Sequence, residues 1–157
     1  MPLSPGQPAP AVRLFKRPRE PFDLADVLGT RPVVLLFFPL AFSEVCTVEV
    51  CAVRDDWQAY EALGAAVFGI SVDSPYVNVL YAKEHELPFP ILSDFNRRAI
   101  EAYDVVRPEL GGLERVAERT VFVIDLDGII RYTWKGEHPG VVPPFEEIKA
   151  ALRGAAE

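Results

Sequence analysis

The hydrophobic positions fall into two kinds of run. Val33–Phe38 (VVLLFF) is apolar at every position and opens on β-branched residues, the pattern of a strand buried on both faces. Ala65–Val72 (AAVFGISV) reads the same way. Thr120–Asp125 (TVFVID) and Ile129–Trp134 (IIRYTW) flank Leu126-Asp127-Gly128, a hairpin signal. Between these runs the spacing is helical. In the longest such segment, Glu44 to Ala62, residues Cys46, Val50, Val53, Trp57 and Tyr60 form one apolar stripe facing the sheet. Thr47, Cys51, Arg54, Asp55 and Gln58 fall on the polar side. Pro75–Leu87 follows Asp73-Ser74, with Ser74 placed as N-cap and Pro75 at the first helical position. Asn96–Tyr103 predicts a short helix and Pro144–Leu152 a closing one. The proline-rich first 21 residues predict irregular or edge-like structure.

The order β-α-β-α-α-β-β-α predicts an α/β, three-layer domain with a central mixed β-sheet flanked by helices, spanning residues 1–157 as one unit. The Val33 strand, the Glu44 helix and the Ala65 strand form a parallel crossover. Functional sites in such folds lie beyond the carboxyl ends of strands, at helix N-termini. Cys46 falls in that place.

Composition narrows the class. A chain of 157 residues buries roughly 68–70% of its unfolded surface, so no disulfide framework is needed. Sixteen basic against 23 acidic residues give a net charge of −7, which argues against nucleic acid as a partner. The N-terminal residues lack the basic and apolar regions of a secretory signal. The longest apolar run, Pro32 to Phe42, is too short to span a membrane. A cytoplasmic location is expected, where two close cysteines are more often catalytic or redox-active than structural.

Cys46 and Cys51 are the only cysteines. On a helix starting near Glu44, Cys46 lies in the first turn, where unpaired N–H groups and the positive dipole end favour a thiolate. A free cysteine is already a few per cent thiolate at neutral pH, so ionisation alone gains only ~30-fold. A fast nucleophile also needs donors placed where charge develops. Five residues along a regular helix put the two Cα atoms about 8.7 Å apart, whereas a disulfide wants roughly 4.4–6.8 Å. The pair can bond only if the helix start unwinds. Other readings stay open: either cysteine as a packed core residue, a metal site, or a Cys–His hydrolase. The last two are weakened because His85 and His138 are the only histidines and lie far away in sequence.

The segment Pro39-x-x-x-Ser43-x-x-Cys46 resembles the active-site motif of the peroxiredoxin family. Gly6-x-x-Ala9-Pro10 resembles the family's opening strand, and Phe37-Phe38-Pro39-Leu40-Ala41-Phe42 is similar to the alkyl hydroperoxide reductase E subgroup. Val72-Asp73-Ser74-Pro75, Leu87 to Asp94, and Arg119 to Asp125 followed by Gly128-Ile129-Ile130 extend the likeness over nearly the whole chain. The resemblance implies a thioredoxin-like fold, reduction of hydrogen peroxide and organic hydroperoxides, and no cofactor or metal. It casts Cys46 as the peroxidatic cysteine, Ser43 as a hydroxyl donor to thiolate and substrate, and Arg119 as a guanidinium donor to both. Pro39 would shield the thiolate, and Glu49 would orient Arg119. Plainer readings remain for three of these: Ser43 as a helix N-cap, Arg119 in a salt bridge to Glu118 or another acid, and Glu49 as a first-turn acid balancing the dipole.

Cys51 departs from the reductase E pattern and matches the Cys-x4-Cys spacing of the bacterioferritin-comigratory subgroup, whose second cysteine is the resolving one. The resemblance therefore implies an intramolecular Cys46–Cys51 disulfide and a thioredoxin- or glutaredoxin-like reductant; the reductase E likeness implies a homodimer, whereas the bacterioferritin-comigratory subgroup is often monomeric. The alternatives are a one-cysteine mechanism with an external thiol, or a redox sensor. Leu40, Phe42 and Phe89 are expected to give the site an apolar approach.

Overall fold

The computed structural model describes residues 1–157. Strands β1 (Arg13–Arg17), β2 (Glu20–Asp23), β3 (Val33–Phe37), β4 (Ala66–Ser71), β5 (Ile91–Ser93), β8 (Thr120–Ile124) and β9 (Ile130–Lys135) form one sheet, ordered β2-β1-β5-β4-β3-β8-β9. A separate hairpin pairs β6 (Val106–Leu110) with β7 (Leu113–Ala117). The helices are α1 (Glu44–Asp55), α2 (Trp57–Ala62), α3 (Pro75–Glu84), α4 (Arg98–Ala102) and α5 (Phe145–Ala155). β3 runs parallel to β4 and antiparallel to β8, so the sheet is mixed, as expected.

Strand alternation explains why VVLLFF is apolar throughout. Val34, Leu36 and Phe38 enter a core that also holds Val50 and Val53 of α1, Tyr81 of α3, and Ile148 and Leu152 of α5. Val33, Leu35 and Phe37 enter a second core with Ile100 of α4, Tyr103, and Val116 of the β6–β7 hairpin. Each residue of the strand therefore meets a covering layer. The expected crossover is present, with Val33 paired to Ala66 and Phe37 to Ile70. The Asp125–Gly128 turn forms because the Asp125 carboxylate accepts the N–H groups of Asp127 and Ile129 at 2.9 and 3.0 Å, and Gly128 takes a positive φ of 79°.

Several expectations need correction. The single helix expected from Glu44 to Ala62 is two, because Asp56 leaves helical geometry (φ −114°, ψ 26°). Asp is a poor helix-interior residue, and its carboxylate pairs instead with Lys149 of α5. Trp57 thus belongs to α2 rather than to the helix that carries the cysteines. The proline-rich start contains β1, which lies inside the sheet between β2 and β5; β2, which follows it, is the edge on that side. The Gly6–Pro10 segment forms no strand, only the isolated bridge Pro8–Ile129. β5, three residues long, and the β6–β7 hairpin, mostly polar and exposed, had too little apolar pattern to be read.

Gly69 sits in β4 where the two flanking side chains leave no room: an added Cβ would lie 2.5 Å from Ile91 Cδ1 and 3.2 Å from Phe38 Cε1. Gly69→Val is expected to destabilise the fold by about 1–3 kcal/mol through overpacking, measured by urea unfolding; an unchanged midpoint would show that this layer yields freely.

Candidate active site

The end of β3 delivers the chain to the start of α1. Pro39 is buried directly after the strand, and Phe42 turns the chain with a positive φ of 67°. Ser43 is the N-cap residue of α1. The turn is held from β4's end: the Asp73 carboxylate accepts the Ala41 N–H at 2.7 Å and the Ser71 hydroxyl at 2.7 Å.

Cys46 occupies the first turn of α1 and is fully buried, in the core shared with Phe38 and Val50. Arg119 reaches it from the neighbouring strand. The antiparallel register that pairs Phe37 with Thr120 sets Arg119 opposite the residue leading into Pro39. Its Nη2 donates to Cys46 Sγ at 3.2 Å, its Nη1 to Glu49 Oε1 at 2.6 Å, and its Nε to the Pro139 carbonyl at 3.1 Å. All three nitrogens of the fork are thus engaged, which fixes the plane of the guanidinium. Glu118 takes Arg107 and Lys135 instead, so in the plainer salt-bridge reading of Arg119 the acid is Glu49 and not Glu118. Glu49 is fully buried on α1, which also removes its reading as a surface dipole-balancing acid.

The electrostatics follow from burial. Cys46 and Glu49 both favour the charged form of Arg119, whose pKa is raised despite desolvation. Glu49 is pulled two ways: burial raises it, Arg119 lowers it, and burial wins, pushing it up to about 7 from 4.5. Its second oxygen, Oε2, has no hydrogen-bond partner. One cation therefore faces both the Glu49 carboxylate and the Cys46 sulfur.

The Ser43 hydroxyl donates to the Leu40 carbonyl at 2.9 Å, and it makes no capping bond to α1. The N-cap alternative therefore holds for the backbone but not for the side chain. The first-turn N–H groups of α1 keep no side-chain cap, which leaves donors at the helix start. A cavity of about 220 Å³ opens here, lined by Pro39, Ser43, Val45, Leu110, Arg119 and Pro139. Leu40 lines it as well, but Phe42 packs on Tyr81 at 4.9 Å and Phe89 on Trp57 at 5.7 Å, so neither aromatic supplies the approach.

Cys51 is half-buried further along α1, and both cysteines are free thiols. The intact helix from Glu44 to Asp55 spans both, which keeps them at the separation that forbids a bond. Neither histidine touches Cys46; His85 packs against Tyr81 at 5.0 Å, and His138 accepts the Gly140 N–H. No group of three or more His, Cys, Asp or Glu side chains could hold a metal ion. No helix is long and apolar enough to cross a membrane.

Sequence reading missed Asp73, Tyr81, Leu110 and Pro139. Asp73 stood in view beside Ser74 as a helix-start signal, but its bond to Ala41 spans 32 residues. Leu110 and Pro139 reach the cavity through a hairpin and a loop with no apolar periodicity.

Residues 5–133 match the AhpC/TSA family. The chain is 34% identical over 142 residues to alkyl hydroperoxide reductase E of Mycobacterium bovis, covering 89% of this chain and 90% of that one. It is 33% identical over 132 residues to peroxiredoxin Bcp of Bacillus subtilis, covering 83% of each. In structure it is similar to peroxidoxin BcpB from Mycobacterium tuberculosis, with a TM-score of 0.85, 28% identity and 97% of both chains covered.

The folded protein holds the Glu49 proton more tightly than the unfolded chain does. That contribution to stability is complete below pH 4.5 and is lost as pH rises through about 7. The parent is expected to lose stability relative to Glu49→Gln across that window, read by urea unfolding at each pH. A difference independent of pH would show that Glu49 is ionised throughout.

Proposed function

The chain belongs to the AhpC/TSA family and is a peroxiredoxin with a thioredoxin-like fold, a thiol peroxidase; from that premise we propose that Cys46 is its peroxidatic cysteine and Cys51 its resolving one. The observation that carries the reading is the 3.2 Å contact from Arg119 Nη2 to a buried Cys46 Sγ beside a small cavity. A thiolate there attacks one oxygen of hydrogen peroxide or an organic hydroperoxide. The S–O bond forms as the O–O bond breaks, and the departing oxygen takes a proton to leave as water or an alcohol.

Arg119 donates to the sulfur and, from the cavity wall, to the oxygen on which charge develops. The free N–H groups at the start of α1 take the same charge. Glu49 positions Arg119 and does not touch substrate. Pro39 keeps water from the sulfur. Ser43 turns its hydroxyl from the Leu40 carbonyl to the incoming oxygen, a rotation about one side-chain bond.

Resolution follows when the first turns of α1 unwind. The Cys51 sulfur then displaces the oxygen of the Cys46 sulfenic acid as water, and a disulfide forms. A dithiol protein of the thioredoxin or glutaredoxin type reduces it by thiol–disulfide exchange. Cys51 is only half-buried, at the margin of the core that encloses Cys46, which supports this role. We also propose a homodimer, supported by the exposed apolar side chains Tyr76, Val79 and Leu80 on one face of α3. A cytoplasmic location fits a cysteine pair that is cycled between thiol and disulfide.

Cys46→Ser is expected to abolish peroxide consumption with a dithiol reductant, and Arg119→Met to lower kcat/KM by about 10²–10³-fold. Residual turnover in Cys46→Ser would remove the assignment. One equivalent of hydrogen peroxide should cost the parent two hydrogens in intact mass, whereas Cys51→Ser should gain oxygen. If both gain oxygen alike, the one-cysteine mechanism with an external thiol holds. Light scattering across concentrations is expected to give twice the chain mass, with Leu80→Glu shifting it to one; a monomer at all concentrations would exclude the dimer.

A further inference from the structure

Helix α1 is tied to α3 at two places, by bonds of different kinds. At its first turn, the Tyr81 hydroxyl lies 3.0 Å from Thr47 Oγ1, and Thr47 Oγ1 lies 2.9 Å from the Ser43 carbonyl oxygen. A carbonyl only accepts, so Thr47 donates to Ser43, and Tyr81 in turn donates to Thr47. A chain of two hydrogen bonds thus runs from α3 into the N-cap of α1. Tyr81 is fully buried, and its ring stands 6.0 Å from Phe38 and 4.9 Å from Phe42. Phe42 holds a positive φ of 67° just before the N-cap, a conformation that a bulky residue keeps only where neighbours over-determine it. Tyr81 is that neighbour, packed edge-on against the Phe42 ring.

At the far end of α1 the tie is a hydrogen bond from a charged donor. Arg54 Nη1 donates to the His85 carbonyl, just past α3, at 2.8 Å, and its Nε to Asp55 at 2.9 Å. Charge-assisted bonds are the stronger kind. Cys46 lies beside the first tie, and Cys51 lies beyond it, nearer the second. For the two sulfurs to meet, the first tie must open, while the second can stay closed and keep Cys51 in place.

We propose that Tyr81 is a positioning residue that sets how readily the first turn of α1 opens, and thereby decides the fate of oxidised Cys46. This rests on the reading of Cys51 as the resolving cysteine. With the turn open, the Cys51 sulfur bonds to the Cys46 sulfur, and the sulfenic hydroxyl leaves as water with the Cys51 thiol proton. With the turn closed, the sulfenic sulfur attacks a second hydroperoxide. A new S–O bond forms, the O–O bond breaks, and an alcohol or water leaves, so that the cysteine ends as a sulfinic acid. Every kinetic gain in opening is a loss to the second route.

Tyr81→Phe removes the hydroxyl and keeps the ring; Thr47→Val removes the same link from a half-buried position and carries the test if Tyr81→Phe folds poorly. Thr47→Ser restores the hydroxyl. Rapid-quench intact mass after hydrogen peroxide is expected to show disulfide formation about fivefold faster in Tyr81→Phe and Thr47→Val, the scale of one net hydrogen bond. The sulfinic share under excess peroxide should fall in both, and Thr47→Ser should behave as the parent. Parental disulfide rates with an unchanged sulfinic share in both variants would overturn the proposal. Amide exchange at Thr47 and Val48 in the reduced protein reads the tie without any disulfide. If the parent forms no Cys46–Cys51 disulfide, the two-cysteine reading fails. Exchange then still decides the tie: faster in both variants supports it, and parental exchange overturns it.

Discussion

Arg119 places a single positive charge, almost sealed from water, between the Cys46 sulfur and the Glu49 carboxylate. Much of the architecture exists to hold it there. The β3–β8 register brings it across from the strand that carries the Pro39 turn, and the Pro139 carbonyl fixes the remaining nitrogen. A buried charge left alone would be costly, and a buried pair is neutral. One cation that faces both a carboxylate and a sulfur is not matched one to one. The orphaned Oε2 of Glu49 and its pKa near 7 mark where the excess negative charge is absorbed as a proton. Buried at the start of α1, the sulfur therefore has one strong partner, and it shares that partner.

The same helix has opposite demands placed on it under the proposed chemistry. While peroxide is attacked, α1 must present its free N–H groups and hold Cys46 rigidly against Arg119. For Cys51 to take part, its first turns must let go. The distribution of contacts suits both. Val50 and Val53 are locked into the core shared with Tyr81 and Ile148, whereas the N-cap region carries a left-handed Phe42 that is half exposed and an uncapped helix start. Local opening is cheapest where buried apolar contacts are fewest.

What the sequence disclosed follows the strength of its periodic signals. The continuous apolar runs of β3 and β4 located the core strands, because alternation sends successive residues into two separate cores. The spacing of Cys46, Val50, Val53 and Tyr60 gave the buried face of α1 and α2, but it put Cys51 on the polar side, whereas Cys51 is half-buried at the margin of the core. The break at Asp56 escaped because the salt bridge that accompanies it is made to Lys149, 93 residues away. β1 hid among prolines because its partners, Phe22 and Ser93, are supplied by other segments. At the site, Arg119 and Glu49 were legible through family resemblance alone, since nothing local to either predicts a bond spanning 70 residues. Tyr81 carried no motif; only the packing of α3 on α1 reveals it.

The central claim is that Glu49 acts on the sulfur only through Arg119. A double-mutant cycle on the rate constant of Cys46 with hydrogen peroxide tests it, using Glu49→Ala, Arg119→Met and the pair. Glu49→Ala is expected to slow the reaction about tenfold with Arg119 present and less than about twofold once Arg119 is gone, a coupling of about 1 kcal/mol. Equal slowing in both backgrounds would contradict it, and would mean that Glu49 and Arg119 serve Cys46 independently.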